Sequence, residues 1–172
     1  MNSGKDTILL VQPHDAAIGT DGFIIGNLTD NNYSIENEIV DEQTKFGRIV
    51  AYGPNSEAFE LTCYGQTGDP GQVAVLNAIR KKKQLKVWEV DLNLKENDMH
   101  HALFAYTIVE SVGKESPQDG FQEISATLQV LGEAQEGELP KLPDSVIEFA
   151  RYGFEKPGEK TGELGAEQPP TP

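Results

Sequence analysis

Few side chains in this sequence have the types and spacing that catalysis or metal binding requires. The histidines are His14, His100 and His101, and the last two are adjacent in a stretch whose composition is typical of a β-strand. Because neighbouring residues of a strand point to opposite faces, these two imidazoles cannot both bind one metal ion from a regular strand. We therefore expect no metal site and no cofactor.

The glycine-rich segment GQTGDPG, residues 65–71, comes directly before a predicted helix, where anions can bind. It lacks the Lys-Ser/Thr pair of a phosphate-binding loop, and the carboxylate of Asp69 would repel a phosphate. A turn followed by a helix cap is the better interpretation. The single cysteine, Cys63, lies among strand-like residues, which indicates a small core or surface residue. Since no catalytic motif is present either, the sequence does not predict an enzyme.

Carboxylates are the most abundant ionisable groups. The chain has 28 Asp and Glu against 14 Lys and Arg, a formal net charge of −14. Pairs such as Glu36 with Glu38, or Glu89 with Asp91, share one face of a predicted strand, which is more often a solvated face than an acid–base pair. A surface this acidic repels nucleic acid and anionic membranes. No apolar run approaches the roughly 20 residues of a membrane-spanning helix.

The element that organises the chain is a helix predicted over about residues 69–83. Asp69 can cap it, and Pro70 suits its first turn. Its apolar residues cluster on one side, and basic residues close its carboxyl end, where they complement the helix dipole. It is the only convincing helix in the first 140 residues, so we expect it to pack against a sheet.

Alternating apolar and polar residues predict strands over most of the remaining chain. These strands are Asp6–Val11, Tyr33–Ile39, Glu57–Tyr64, Leu85–Leu94, Met99–Val112 and Phe121–Leu131. The last three are joined by turns and predict an antiparallel meander. The apolar parity changes near Trp88, which predicts either a bulge there or burial of both faces. Residues 40–56 are polar and contain glycine, so we expect a long loop with a candidate short strand at Arg48–Tyr52.

The alternation ends at Gly132. A short helix is predicted at Asp144–Tyr152, and residues 154–172 have the composition of a flexible acidic Pro/Gly-rich tail. The sequence therefore predicts one mainly β domain over residues 1–153. Its fold class is an antiparallel β-sandwich or barrel-like domain with one flanking α-helix.

Five segments, in order, resemble the major tail tube protein of long-tailed, non-contractile bacteriophages. They are DEQTKFGRI, YGQTGDPGQ, KKKQLKVWEVD, KENDMHHALFAYTIVES and ISATLQVLGEAQEGELPKLP, and they extend from Asp41 to Pro143. The resemblance implies a structural virion protein whose hexameric rings stack into a tail tube, made in the host cytoplasm. It also implies contacts with the tape measure protein, the tail terminator and distal tail proteins. DNA would pass through the tube without specific binding, and no membrane would be involved.

The resemblance gives the long loop the role of an arm that contacts the adjacent ring. That arm comprises Asp41, Glu42, Gln43, Thr44, Lys45, Phe46, Gly47 and Arg48. A channel that conducts DNA needs a lining that does not hold phosphates, and carboxylates repel them. The candidate lumen-facing residues are therefore Glu36, Glu38, Glu89, Asp91 and Glu123. Which of these faces lines the lumen stays open at this point.

Two other hypotheses for the function remain. A type VI secretion-like tube protein fits the acidic lining and the glycine-rich connections, although the segment order resembles the phage group more. A monomeric carbohydrate-binding β-sandwich would need exposed aromatic clusters, which the sequence does not indicate. Electron microscopy of the purified protein separates a tube-forming protein from a monomer.

Overall fold

The computed structural model describes residues 1–143 and 156–158, which form eight strands and one α-helix after a short 3-10 helix at Gly4–Asp6. The first four strands are β1 (Thr7–Pro13), β2 (Phe23–Ile24), β3 (Leu28–Thr44) and β4 (Gly47–Tyr64). Helix α1 (Pro70–Lys81) follows. The remaining strands are β5 (Leu85–Leu94), β6 (Met99–Glu115), β7 (Glu123–Val130) and β8 (Gln135–Pro140). Within these residues no helix has the length and apolar character needed to cross a bilayer.

All eight strands belong to one antiparallel sheet: seven follow the order β2-β1-β5-β6-β7-β4-β3, and β8 pairs with β6 outside this order. The predicted meander of β5, β6 and β7 is confirmed, because each pairs with the next. Strand β6 pairs with different strands along its length. In its first part, residues 100–107 pair with β5 and residues 99–104 pair with β8 on the other side. Its last part, residues 107–115, pairs with β7. We call β3, β4, β7 and residues 108–115 of β6 half-sheet I. Half-sheet II comprises β1, β2, β5, β8 and residues 99–107 of β6.

The sheet closes on itself. The side-chain amide of Asn31, on β3, donates to Glu89, on β5, at 3.1 Å. These strands are four positions apart in the sheet, so a flat sheet would hold them roughly 19 Å apart, at about 4.8 Å per strand. A direct contact therefore requires the two half-sheets to curl around a shared interior. The sandwich- or barrel-like class predicted from the sequence is confirmed.

Helix α1 closes one side of that interior. As predicted, Asp69 caps it by accepting a hydrogen bond from the Gln72 amide at 3.0 Å. Ala74, Val75 and Ala78 are buried in a core cluster formed largely by residues of β1, β4, β5, β6 and β7. Gly71 lies directly on β2, where a Cβ atom would come within 2.3 Å of the Ile24 carbonyl oxygen. The close approach of helix and strand thus requires glycine at that position.

Of the two predictions made for the region near Trp88, the bulge is wrong. Strand β5 pairs continuously with β1 and β6 through Trp88, and the irregularity lies between Val90 and Leu94. The other option, burial of both faces, is confirmed. Leu85 and Val87 belong to the main core, whereas Val90 and Leu92 belong to a second cluster on the opposite face with Ile8, Leu10 and Ala102.

The prediction of a long loop at residues 40–56 is also wrong, because β3 and β4 continue through it as a hairpin, whereas the candidate strand Arg48–Tyr52 is confirmed as part of β4. Their pairing runs from Val40–Ala51 to Thr44–Gly47 and leaves Lys45 and Phe46 at the tip. Both faces of this hairpin are exposed, so its sequence lacks the one-face alternation that reveals a half-buried strand. Strand β8 was missed for the same reason, since most of its residues are exposed.

The sequence also predicted structure near the carboxyl terminus. The predicted helix at Asp144–Tyr152 lies outside the described residues. So does the predicted tail, except for residues 156–158.

Candidate assembly surfaces

All eight residues predicted to form an inter-ring arm lie in the outer part of the β3–β4 hairpin. We call residues 39–52 the arm. Its tip is a tight turn in which the Thr44 hydroxyl accepts from the Phe46 amide at 3.1 Å and donates to the Gly47 carbonyl at 2.8 Å. Gly47 has φ +125°, a conformation that side-chain-bearing residues rarely adopt. The arm is therefore an ordered projection with a defined tip.

The arm exposes large apolar side chains on both of its faces. Phe46 and Tyr52 are 102% and 90% exposed. The other exposed apolar residues of the arm are Ile39, Val40, Ile49 and Val50. A concentration of exposed apolar side chains of this kind on a folded protein is typical of a site of contact with another molecule.

One ion pair crosses the arm. The Arg48 guanidinium donates two hydrogen bonds to the Asp41 carboxylate, at 2.8 and 2.7 Å. This pair lowers the pKa of Asp41 and raises the pKa of Arg48. Because both groups are exposed, the pair adds little to global stability, but its bidentate geometry favours one strand register in the arm.

The base of the arm is bent and is fastened to the rest of the domain, which we call the body. A bulge separates Asn37 from Ile39 in the pairing, and the Asn37 side chain donates to the Gly53 carbonyl at 2.7 Å. At Gly53 a Cβ atom would lie 1.9 Å from the Glu38 carbonyl oxygen, so only glycine fits. Below the bulge, Glu57 is 5% exposed and accepts from the Tyr33 hydroxyl and from the Ala134 amide. These contacts fix the direction in which the arm leaves the body.

One face of half-sheet I is polar and carries no lysine or arginine among the residues described. Its members alternate along the strands with the buried core residues Phe59, Leu61, Ala126 and Leu128. Six carboxylates lie on it: Asp30, Glu36, Glu60, Glu110, Glu115 and Glu123. Between them lie Ser34, Thr62, Ser111, Ser125, Thr127 and Gln129. We call this surface the acidic face.

Half-sheet I has two unpaired edges. In the part of the chain that the structure describes, β3 pairs only with β4, so its other edge is open along its whole length. Strand β5 ends its pairing with β6 at Thr107, opposite Leu85, so residues 108–115 of β6 are open on the side away from β7. Open strand edges present free backbone donors and acceptors and are templates for pairing with another chain.

The five predicted lumen-facing carboxylates do not lie on one surface. Glu36 and Glu123 lie on the acidic face, and Glu38 lies beside the bulge at its rim. Glu89 and Asp91 point to the opposite side, into a cavity of about 560 Å³ at the open end of the core. Glu57, His101, Glu133 and Glu136 also line this cavity. Burial raises the pKa of Glu89, although the hydrogen bond from Asn31 partly offsets that effect.

The two adjacent histidines diverge, as the strand geometry predicts. His101 lines the cavity, whereas His100 is fully buried on the other face with its Nδ1 atom 3.0 Å from the Asp91 carbonyl oxygen. No group of three or more potential metal ligands is found in residues 1–143 and 156–158.

Sequence reasoning missed two features of these surfaces. Glu110 and Glu115 were not recognised as members of the acidic face, where Glu115 is opposite Glu123 and Glu110 accepts a hydrogen bond from Gln129. It also missed an exposed aromatic pair, Tyr64 and Phe121, whose ring centroids are 5.6 Å apart. These residues are far apart in sequence, and only the β4–β7 pairing brings them together.

Comparison with known proteins gives a consistent result. Residues 1–136 match the family model described as phage tail tube protein. The chain is 40% identical over 162 residues to the tail tube protein of Bacillus phage SPP1, covering 93% of this chain and 61% of that protein. It is 30% identical over 122 residues to a putative tail protein of Staphylococcus phage phiMR11, covering 70% of this chain and 63% of that protein. The chain thus spans less than two thirds of the length of these two relatives.

The fold has a solved counterpart. The structure of the SPP1 tail tube matches with a TM-score of 0.78 and 35% sequence identity, over 98% of this chain and 99% of that chain. The mainly antiparallel sheet with one helix is therefore the fold of a tail tube subunit.

Proposed function

The chain belongs to the phage tail tube protein family, and from that premise we propose that copies of it assemble into rings that stack as the tube of a phage tail. DNA passes through this tube during ejection. The observation that supports the proposal best is half-sheet I, which combines two open edges with a polar face that carries carboxylates and no described cation.

The open edges supply the ring contact. In the proposed ring, β3 of one subunit pairs with residues 108–115 of β6 in the next subunit, so that half-sheet I continues around the ring. Each subunit then contributes four strands, and closure leaves no exposed edge. We propose six subunits in a ring, as the resemblance implies.

The acidic face supplies the channel lining. Fixed carboxylates repel the phosphate backbone, whereas cations at the same positions would bind it and slow the passage of DNA. We propose that Asp30, Glu36, Glu60 and Glu110 line the bore, with Glu38 at one rim and Glu115 and Glu123, at the ends of their strands, at the other. Glu89 and Asp91 are left out of this proposal because they point into the core cavity.

The arm supplies the contact between rings, since its apolar side chains are exposed on both faces. Deletion of residues 43–47 should leave a folded, soluble protein that forms rings but no tubes. Tubes of normal length after this deletion would show that the arm does not stack the rings.

The ends and the interior of such a tube require other proteins. We propose that the rings contact a tape measure protein in the bore, a tail terminator at one end and distal tail proteins at the other. The protein would then reside in the virion tail after synthesis in the host cytoplasm.

Electron microscopy of the purified protein tests the proposal at its first step, because a protein that remains monomeric under all conditions is not a tube subunit. The channel lining is tested by the double substitution Glu36→Lys with Glu60→Lys. These exposed residues carry no ion pair in the described structure, so the fold should persist. In phage particles the variant should release DNA at least about tenfold more slowly at low salt, and the delay should shrink as salt is added.

Glu96→Lys, in an exposed turn outside half-sheet I, is the matched control and should release DNA normally. Normal release by the double variant at every salt concentration would place the acidic face outside the bore.

A further inference from the structure

The tip of the arm and the aromatic pair lie at opposite ends of the same strand. Strand β4 begins at Gly47, directly after Phe46, and ends at Tyr64. Tyr64 packs against Phe121, which is 79% exposed, so the pair presents an aromatic surface to solvent. Two exposed aromatic features at opposite ends of one element suit a head-to-tail contact between copies.

The aromatic pair adjoins a concentration of negative charge. Tyr64 is directly opposite Glu123 in the β4–β7 pairing, and Glu123 is directly opposite Glu115 in the β6–β7 pairing. Like charges at directly opposite positions are unfavourable. Neither carboxylate has an ion-pair partner among the described residues. A cation from another molecule would relieve this repulsion.

The tip of the arm carries the complementary groups. Phe46 is fully exposed, and the neighbouring Lys45 is exposed and takes part in no ion pair within the described structure. We infer that the arm tip of one subunit docks on the end of β4 in a subunit of the next ring. Phe46 packs on Tyr64 and Phe121, and the Lys45 ammonium lies against Glu115 and Glu123. This inference rests on the proposed function and names the receiving surface for the arm.

The contact is heterologous, because the surface that inserts differs from the surface that receives it. A heterologous contact that does not close into a ring produces an open stack with one direction. The 18 residues of β4 also set the repeat distance. At about 3.3 Å per residue and a tilt of roughly 35–45° to the tube axis, the rise per ring is at most roughly 40–50 Å.

The first test truncates each side of the contact. Phe46→Ala and Phe121→Ala should each keep the melting temperature of the wild type and form rings, but should form no tubes at the protein concentration at which the wild type polymerises fully. Ile18→Ala, another fully exposed apolar residue, is the matched control and should form normal tubes. Normal tubes from Phe121→Ala would overturn the inference.

The second test exchanges charge across the contact. Lys45→Glu alone, and Glu115→Lys with Glu123→Lys, should each raise the protein concentration needed for tube formation by about tenfold. The combined triple variant should return it to within about threefold of the wild type. A triple variant that assembles no better than Lys45→Glu would overturn the pairing.

The third test measures the axial repeat in images of wild-type tubes. A repeat clearly longer than about 50 Å, the upper bound for the tilted strand, would put the surface out of reach of the tip. Failure of the proposed function looks different, because the wild type itself would then form neither rings nor tubes.

Discussion

Asn31 and Glu89 join the two half-sheets across the interior of the protein: the side-chain amide of Asn31 donates to the Glu89 carboxylate at 3.1 Å. This contact connects an edge strand with a central strand four positions away in the sheet. It also explains why Glu89 is not a surface residue, although its sequence neighbourhood alternates like one.

Glu89→Gln should stabilise the protein at neutral pH. Burial raises the pKa of Glu89, so ionisation of this carboxyl group is less favourable in the folded state than in the unfolded state. The stability that the neutral carboxyl group provides is present below its unfolded pKa and is lost as the pH rises through its folded pKa. Glutamine stays neutral and can still accept the Asn31 hydrogen bond. We expect a melting temperature roughly 1–3 °C above the wild type at pH 7.

That gain should shrink as the pH falls and vanish well below the ordinary pKa of glutamate, where Glu89 is protonated in both states. Thermal melts of wild type and variant across this range check the prediction, with the exposed Glu96→Gln as the control. A constant difference at all pH values would show that ionisation of Glu89 is not the cause.

Tyr33→Phe should remove part of the alkaline sensitivity of the fold. Burial, with a contribution from the hydrogen bond to Glu57, raises the pKa of Tyr33 to about 12. Stability from the protonated phenol is therefore present below its ordinary pKa and lost as the pH rises towards about 12. At pH 8 the variant should lose roughly 1–3 kcal/mol, because a buried carboxylate loses a donor. Between pH 10 and 12 the difference between the two proteins should shrink, as measured by urea unfolding.

Gly53→Ala should affect assembly more than folding. A Cβ atom at residue 53 would overlap the Glu38 carbonyl oxygen, which forces the strands apart at the bulge. The body lies below the bulge, so the melting temperature should change by only roughly 1–3 °C, while tube formation should be lost because the arm points elsewhere. Gly137→Ala, in β8, has open space around its Cβ position and should assemble normally. An intact tube from Gly53→Ala would show that the arm tolerates a different exit angle.

Asp69→Ala should destabilise the whole domain. This carboxylate caps α1 through the Gln72 amide and also accepts from the Gly26 amide at 2.9 Å, which joins the helix to the segment between β2 and β3. Loss of these two acceptor contacts, one buried and one partly buried, should lower the free energy of unfolding by about 1–3 kcal/mol. Thr67→Ala, exposed in the same turn, should change it by less than about 0.5 kcal/mol. Equal effects of the two substitutions in chemical unfolding would refute the capping role.

Those features that depend on neighbours in the sequence were predictable from the sequence alone. The alternation in Phe121–Leu131 reports one buried face, and the Asp69–Pro70 pair reports a helix start, because each signal arises within a few residues. The β5–β6–β7 meander followed from short connections for the same reason. The ordered segments between Asp41 and Pro143 carried the family resemblance.

Only the tertiary structure decided which residues from distant segments lie on the same surface. Glu89 and Glu123 look alike in sequence, since each lies on an acidic strand face. Because the sheet closes, the Glu89 side chain points into a core cavity, whereas Glu123 lies on the acidic face. The arm was mistaken for a loop because strand patterns record burial within one chain, and its apolar residues are exposed there on both faces. The pairing of Glu115 with Glu123, and of Tyr64 with Phe121, depends on strand register, which is set by contacts between residues far apart in the chain.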